Sequence, residues 1–294
     1  MRLTPSEASS GIVVKIEYYG IVCIRKLNIH RFRRRRMKYL LDKMLILVAI
    51  VCLHMNASPS EAGEDTNIGI VSFTVDSLTS DFYVKRFPQF MKYRIPGTLY
   101  VQSQPVNTGD WGMDWDDLRD VDAQGWEIGA HSYSHEYHLT EVDDATLELE
   151  LGAPAARFYR ELGKYPKTFA TPFGDYDERV LTFARIYYDA HLGAWGNGGI
   201  NEFDSTDHYR INRIEMSNKS SVKEICSQIE DAGSKGYWLI FMLHTITEEE
   251  PGDYEISQQM FQGVLECAAA LRDANRVQIL TVEDALRQVP HTSK

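Results

Sequence analysis

This chain reads as an α/β protein, a distorted (β/α) barrel with about seven parallel strands. Beyond residue 66, short β-rich apolar runs alternate with amphipathic stretches, in seven or eight units over about 225 residues. Strands alternating with helices imply a mostly parallel sheet with helical crossovers. Three of the apolar runs also end in a titratable side chain: Ile70-Val-Ser-Phe-Thr-Val-Asp76, the segment 127–131 ending in His131, and Leu239-Ile-Phe-Met-Leu-His244. In a parallel barrel the C-terminal ends of the strands form the face that carries chemistry.

Taken in order, the strand candidates are 68–76, 97–101, 127–131, 168–170, 190–195, 209–216, 237–244 and 277–281. The first helical candidate spans 114–124 and is closed by Gly125, a residue that takes the left-handed C-terminal position at little cost. The next is capped by Thr140, with Asp143 three residues on, and runs to about residue 162. Helices over 177–187, 221–234, 257–275 and 282–289 complete the set. No repeat or low-complexity linker interrupts it, so residues 67–290 read as one catalytic domain.

Residues 1–62 read as a leader and stand apart from the fold. Met37-Lys-Tyr-Leu-Leu-Asp-Lys43 supplies a positive n-region, Met44 to Leu53 an apolar stretch, and Asn56-Ala-Ser58 and Ser60-Glu-Ala62 the small residues that follow. That is a signal-peptide layout, too short for a comfortable membrane span, with an uncleaved N-terminal anchor as the alternative. Residues 1–36, with Arg33-Arg-Arg-Arg36, fit neither part, and Met37 is a candidate for the true start. The expected location is secreted or periplasmic, in the cell envelope, with no stable span after cleavage.

The net charge of −11 divides unevenly, +7 over residues 1–61 and −18 over the remainder. So acidic a body is repelled by phosphate backbones, which argues against nucleic acid as a partner. Neutral polymers or small amides suit it better. Cys226 and Cys267, the two cysteines beyond the leader, both fall on predicted helices. They are either a disulfide or two buried thiols.

The chemistry centres on His131 and His135, in Gly-Ala-His131-Ser-Tyr-Ser-His135. They follow a strand, so a turn must bring them to one point, and neutral imidazoles are good ligands for zinc and similar ions. Asp76 ends an apolar strand, where an unpaired carboxylate is costly to bury. It is a candidate general base if burial raises its pKa toward working pH; capping a helix near Ser80 is the alternative. His244 is the candidate general acid, and an ordinary strand-end histidine otherwise. Amide hydrolysis needs both roles, because an amine leaves poorly without a proton. Trp195, beside Gly196-Asn-Gly-Gly199, is a candidate platform for a sugar ring, with Trp111 and Trp115 weaker candidates.

Over roughly residues 68–290 the chain resembles the polysaccharide deacetylases, the NodB-homology domains of carbohydrate esterase family 4. The resemblance rests on an ordered set of motifs. Thr74-Val-Asp-Ser-Leu78 is similar to the family's Thr-Phe-Asp-Asp-Gly, and His131-Ser-Tyr-Ser-His135 matches His-Ser/Thr-x-x-His in full. Ala170-Thr-Pro-Phe-Gly174 resembles Arg-x-Pro-Tyr/Phe-Gly, and Leu243-His244 matches the last motif. Ile95-Pro-Gly-Thr-Leu-Tyr-Val101 and Gly125-Trp-Glu-Ile-Gly129 are similar to the spacers between them.

The resemblance implies a hydrolase that removes N-acetyl or O-acetyl groups from a glycan, with a divalent metal, zinc first, on His131 and His135. It implies Asp76 as base and His244 as acid. Leu243 would line a small pocket for the acetyl methyl group, Pro172 would be a further substrate-binding residue, and the backbone N–H of Phe173 would help stabilise the oxyanion.

Two departures stand out. Ser77 occupies the place of the family's metal-binding Asp, so the metal is held by two histidines and water, by a substitute acid such as Asp81 or Asp175, or not tightly. Ala170 occupies the place of the arginine that orients the base, with Arg213 as a candidate replacement or a surface residue. The remaining alternatives are a hydrolase of small cyclic amides or ureides on the same fold, and a glycan-binding module without activity.

Overall fold

β1 (Ile70–Asp76) runs through the middle of a curled sheet, paired on one side by the strand Tyr237–Leu243 and on the other by the strands Thr98–Val101 and Gln278–Ile279. The structure, a computed structural model, describes residues 68–76, 79–106, 112–194 and 196–291. The leader, Ser77, Trp111 and Trp195 lie outside them.

The strands that follow β1 are β2 (Thr98–Val101), β3 (Glu127–Ala130), β4 (Thr168–Ala170), β5 (Ala190–Leu192), β6 (Ile200–Glu202), β7 (Ile214–Glu215), β8 (Tyr237–Leu243), β9 (Thr245–Thr247), β10 (Glu255–Ser257) and β11 (Gln278–Ile279). Their order is β5-β4-β3-β2-β1-β8-β6, a seven-position half-barrel in which β6 pairs antiparallel and the other neighbours parallel. This is the distorted (β/α) barrel expected from the alternation of elements. Ile211 bridges to Leu192 of β5, and β7 pairs with β8. Residues 211–215 thus span the gap between the two ends of the curl.

The helices are α1 (Phe87–Lys92), which continues a π-helical turn over Phe82–Arg86, α2 (Trp115–Ala123), α3 (Asp144–Leu162), α4 (Glu178–Tyr187), α5 (Val222–Lys235), α6 (Gln258–Asp273) and α7 (Val282–Leu286). Local sequence sets their starts. Asp114 caps α2 with a reciprocal bond from Asp117, and Asp177, Ser221, Ser257 and Thr281 each accept a backbone N–H of the next helix. Such caps contribute about 1 kcal/mol each. The α3 cap is Asp143 rather than Thr140: Asp143 accepts the N–H of Thr146 at 2.8 Å, whereas the Thr140 hydroxyl donates to Asp175.

Strand alternation sorts the side chains of the barrel. Val71, Phe73 and Val75 of β1 and Leu239, Phe241 and Leu243 of β8 face outward, into the core shared with Ile225 and Ile229 of α5 and Phe261 and Leu265 of α6. Phe73 and Phe241 stack at 5.6 Å, each worth on the order of 2–3 kcal/mol by burial. The opposite set, Ser72, Thr74 and Asp76 with Trp238, Ile240 and Met242, fills the barrel; the Trp238 indole donates to Ser72 at 3.0 Å. Gly129 lies on this inner face because a Cβ there would stand 2.4 Å from the Tyr100 ring.

The predicted strand 209–216 contracts to β7 plus one bridge, since its partners switch from β5 to β8 along its length. The short β6, β9 and β10 and the α1 segment carry too little periodic pattern to be read in advance. Cys226 on α5 and Cys267 on α6 form a disulfide, with Cα atoms 6.1 Å apart. No helix among the described residues is long and apolar enough to cross a membrane.

Candidate active site

The C-terminal ends of β1, β3 and β8, with the closing segment 211–215, deliver their side chains to one cavity of about 720 Å³. Asp76, His131, His135, Phe173, Arg213 and His244 all line it.

Asp76 is gripped by Arg213. The guanidinium donates from Nη1 to Oδ1 at 2.7 Å and from Nη2 to Oδ2 at 3.0 Å, and holds itself in place by bonds to Thr74 Oγ1 at 3.2 Å and the Gly193 carbonyl at 3.0 Å. Arg213 is 1% exposed, so it is an interior residue and not a surface one. Burial pushes the Asp76 carboxyl up, but the charges of Arg213 and His131 and the Arg213 bonds outweigh it, and the pKa falls to about 2. This reverses the expectation that burial would raise it. The carboxylate is ionised at all ordinary pH values.

His131, also buried, donates from Nδ1 to the Ala170 carbonyl at 2.8 Å. A carbonyl only accepts, so Nδ1 carries the proton and Nε2 presents a lone pair. That Nε2 stands 3.8 Å from Asp76 Oδ2. Burial lowers the His131 pKa to about 4, which keeps the ring neutral. Burial likewise lowers the pKa of His135, whose ring centroid is 4.8 Å from that of His131.

The turn between them is strained: Ser132 and His135 have φ of 65° and 63°. Non-glycine residues in that region cost on the order of 1 kcal/mol or more each. The turn is tied back by a bond from the His135 N–H to Ser132 Oγ at 3.0 Å and by the buried Glu150 of α3.

On the other side of the cavity, His244 Nδ1 lies 3.0 Å from Glu215 Oε1. Glu215 follows Arg213 by two residues, so one short strand orients both the base and the acid candidates. Phe173 has φ of 59° and is 42% exposed; its ring packs on His135 at 4.7 Å and on His138 at 4.4 Å.

Leu243 faces the outer core, opposite to His244, as strand alternation requires; Met242 meets the cavity in its place. Pro172 is buried, and Phe173 rather than Pro172 lines the cavity. Trp115 is buried against Phe158, not at the mouth. Tyr254, 60% exposed with its ring 6.3 Å from that of His244, is the described aromatic beside the acid candidate.

The donor set suits a cation in one respect: a lone pair on His131 Nε2 and an oxygen of Asp76 face each other with no hydrogen between them. Two imidazoles fit a divalent ion, with a backbone carbonyl fixing the tautomer of one. A third protein ligand is missing among the described residues, where no cluster of three candidate ligands occurs. Asp81 is taken by Lys85 and Arg86, and Asp175 by His138 and Thr140, so neither substitutes for the acid absent at position 77.

Sequence reasoning left out Glu215, Glu150, Met242 and Tyr254. Two signals were available. Arg213-Ile-Glu215 places two charges on one face of a strand, and Met242 shares the parity of His244.

A buried carboxylate and three imidazoles line one cavity at the C-terminal mouth of a parallel half-barrel, a group set that suits hydrolysis. Residues 63–187 match the profile of the family described as polysaccharide deacetylase. Over that segment the chain is similar to the family.

Several solved structures are similar. The Xyl-CE4 domain of a multidomain xylanase from the hindgut metagenome of Trinervitermes trinervoides matches at 16% identity and a TM-score of 0.52, over 77% of this chain and 96% of that one. The family 4 carbohydrate esterase from Streptomyces lividans, solved with acetate, matches at 12% identity and 0.50, over 78% and 99%. A Streptococcus pyogenes deacetylase, also with acetate, matches at 21% identity and 0.45, over 49% of this chain and 63% of that one. No curated protein sequence matches.

Proposed function

We propose that this protein is an exported glycan deacetylase, which hydrolyses the amide of N-acetyl groups, or the ester of O-acetyl groups, on a polysaccharide. The observation that carries the reading is the placing of two groups across one cavity: Asp76 held by Arg213, and His244 with its Nδ1 3.0 Å from Glu215 Oε1.

Asp76 accepts a proton from the attacking water through the oxygen that faces His131. At a pKa of about 2 it is permanently ionised but a weak base. It therefore suits a water that is already acidified, which is the chemistry a divalent ion supplies when bound at His131 and His135. Zinc is the ion such imidazoles favour. The backbone N–H of Phe173 is the donor assigned to the developing oxyanion, a contribution often worth about 3 kcal/mol. His244 returns a proton to the departing nitrogen or oxygen, with Glu215 keeping its ring aimed. Phe173 and Tyr254 offer apolar faces to the sugar.

The departure at Ala170 loses its force, because Arg213 does the work of the absent arginine from another strand. The departure at Ser77 stands, and it keeps a hydrolase of small cyclic amides in view. Assay on acetylated chitin oligomers, with and without chelator, tests the reading. Deacetylation that chelator abolishes supports it. Activity on small amides that ignores chelator favours the second reading, and absence of any activity refutes both.

A further inference from the structure

We infer that Glu150 is a positioning residue that shapes the His131–His135 turn for ion binding, an inference that rests on the two imidazoles being the ligands proposed above. Glu150 lies two turns into α3, is 2% exposed, and points into the turn from beneath. Its Oε2 accepts the backbone N–H groups of Tyr133 at 3.1 Å and Ser134 at 2.9 Å, and its Oε1 accepts the Ser134 hydroxyl at 2.8 Å.

Among the described residues the carboxylate makes no ion pair with a Lys or Arg, so the turn itself supplies its hydrogen-bond donors. A buried carboxylate of that kind persists where it serves the backbone that surrounds it. Successive N–H groups converging on one anion also lock the dihedral angles of the residues that carry them. The residues locked here are Tyr133 and Ser134, flanked by Ser132 and His135 at positive φ. Relaxation of the turn would swing His135 away from His131 and leave Asp76, Arg213 and His244 in place.

The test is ion binding by the full chain. Wild type, Glu150→Ala, Glu150→Gln and Ser134→Ala are compared by Co²⁺ titration, reading the visible absorption bands, and by Zn²⁺ competition with a chromophoric chelator. Glu150→Ala is expected to weaken both ions tenfold or more and to alter the Co²⁺ bands, which a purely structural role would leave unchanged once folded protein is counted. Glu150→Gln keeps an oxygen for the two N–H groups and is expected to lose less.

Wild-type affinity and bands in Glu150→Ala overturn the inference. If that variant does not fold, wild-type affinity and bands in both Glu150→Gln and Ser134→Ala overturn it instead. Wild type that takes up no Co²⁺ at all refutes the ligand reading beneath it, a result distinct from any effect of Glu150.

Discussion

Arg213, just before β7 and 137 residues further along the chain, reaches Asp76 and meets both carboxylate oxygens with its two terminal nitrogens. The two parallel bonds fix the plane of the carboxylate as well as its charge, which a lysine cannot do.

Arg213→Lys is therefore expected to keep the fold and lower kcat by about tenfold or more, because the charge remains but the fork is lost. Arg213→Gln leaves a buried carboxylate without a counter-charge and is expected to cost roughly 3–5 kcal/mol of stability. Activity assays and thermal denaturation of the two variants check the pair. Equal activity in Arg213→Lys and wild type would show that the bidentate geometry is irrelevant.

Glu215 offers a second test of orientation. Glu215→Gln is expected to lower kcat by about ten- to a hundredfold with little change in KM, since it disturbs the aim of His244 and not the cavity wall. Steady-state kinetics on one acetylated oligomer decide it. A rise in KM at constant kcat would place Glu215 on the binding side.

Much of this site is legible in the sequence, and the reason is strand geometry. Asp76, His131 and His244 each close an apolar run, and a parallel barrel gathers such ends at one mouth. Strand alternation was legible too, and it argues against Leu243 at the cavity, since neighbours on a strand face opposite ways. The grip of Arg213 was only half legible. Its place in a candidate strand marked it, but its direction depends on residues 211–215 switching partners between β5 and β8, a tertiary fact with no local signature. Glu150 was hidden for a similar reason: one acid among several in an amphipathic helix resembles its solvated neighbours until the turn above it is built.

At the opposite end of the barrel, Glu127 gives a pH prediction. The Thr98 and Thr168 hydroxyls and the Glu283 N–H all donate to its buried carboxyl, yet burial outweighs them and raises its pKa to about 7. A carboxyl whose pKa is higher folded than unfolded holds its proton more tightly in the native state. Its contribution to stability is full below about 4.5 and is lost as pH rises through about 7. Melting temperature should fall over that interval, by the equivalent of roughly 3 kcal/mol at most. Glu127→Gln should flatten this part of the profile; an unchanged slope in the variant would assign the dependence to another group.

Position 77 carries the last prediction. Ser77 follows Asp76 directly, where relatives with the full motif place a second carboxylate, and a neutral hydroxyl is a much weaker ligand than a carboxylate. With Asp81 and Asp175 both engaged elsewhere, the proposed ion would have two imidazoles as its protein ligands. Wild type should thus release Zn²⁺ readily on dialysis, whereas Ser77→Asp should retain it, with affinity higher by at least tenfold. Added charge beside Asp76 also competes for Arg213, so the same variant should gain ion affinity more than it gains kcat. Metal analysis after dialysis, alongside kinetics at saturating Zn²⁺, separates the two effects. Equal retention by wild type and Ser77→Asp would mean that residue 77 does not reach the ion, and that the chain completes its site with a group outside the motif.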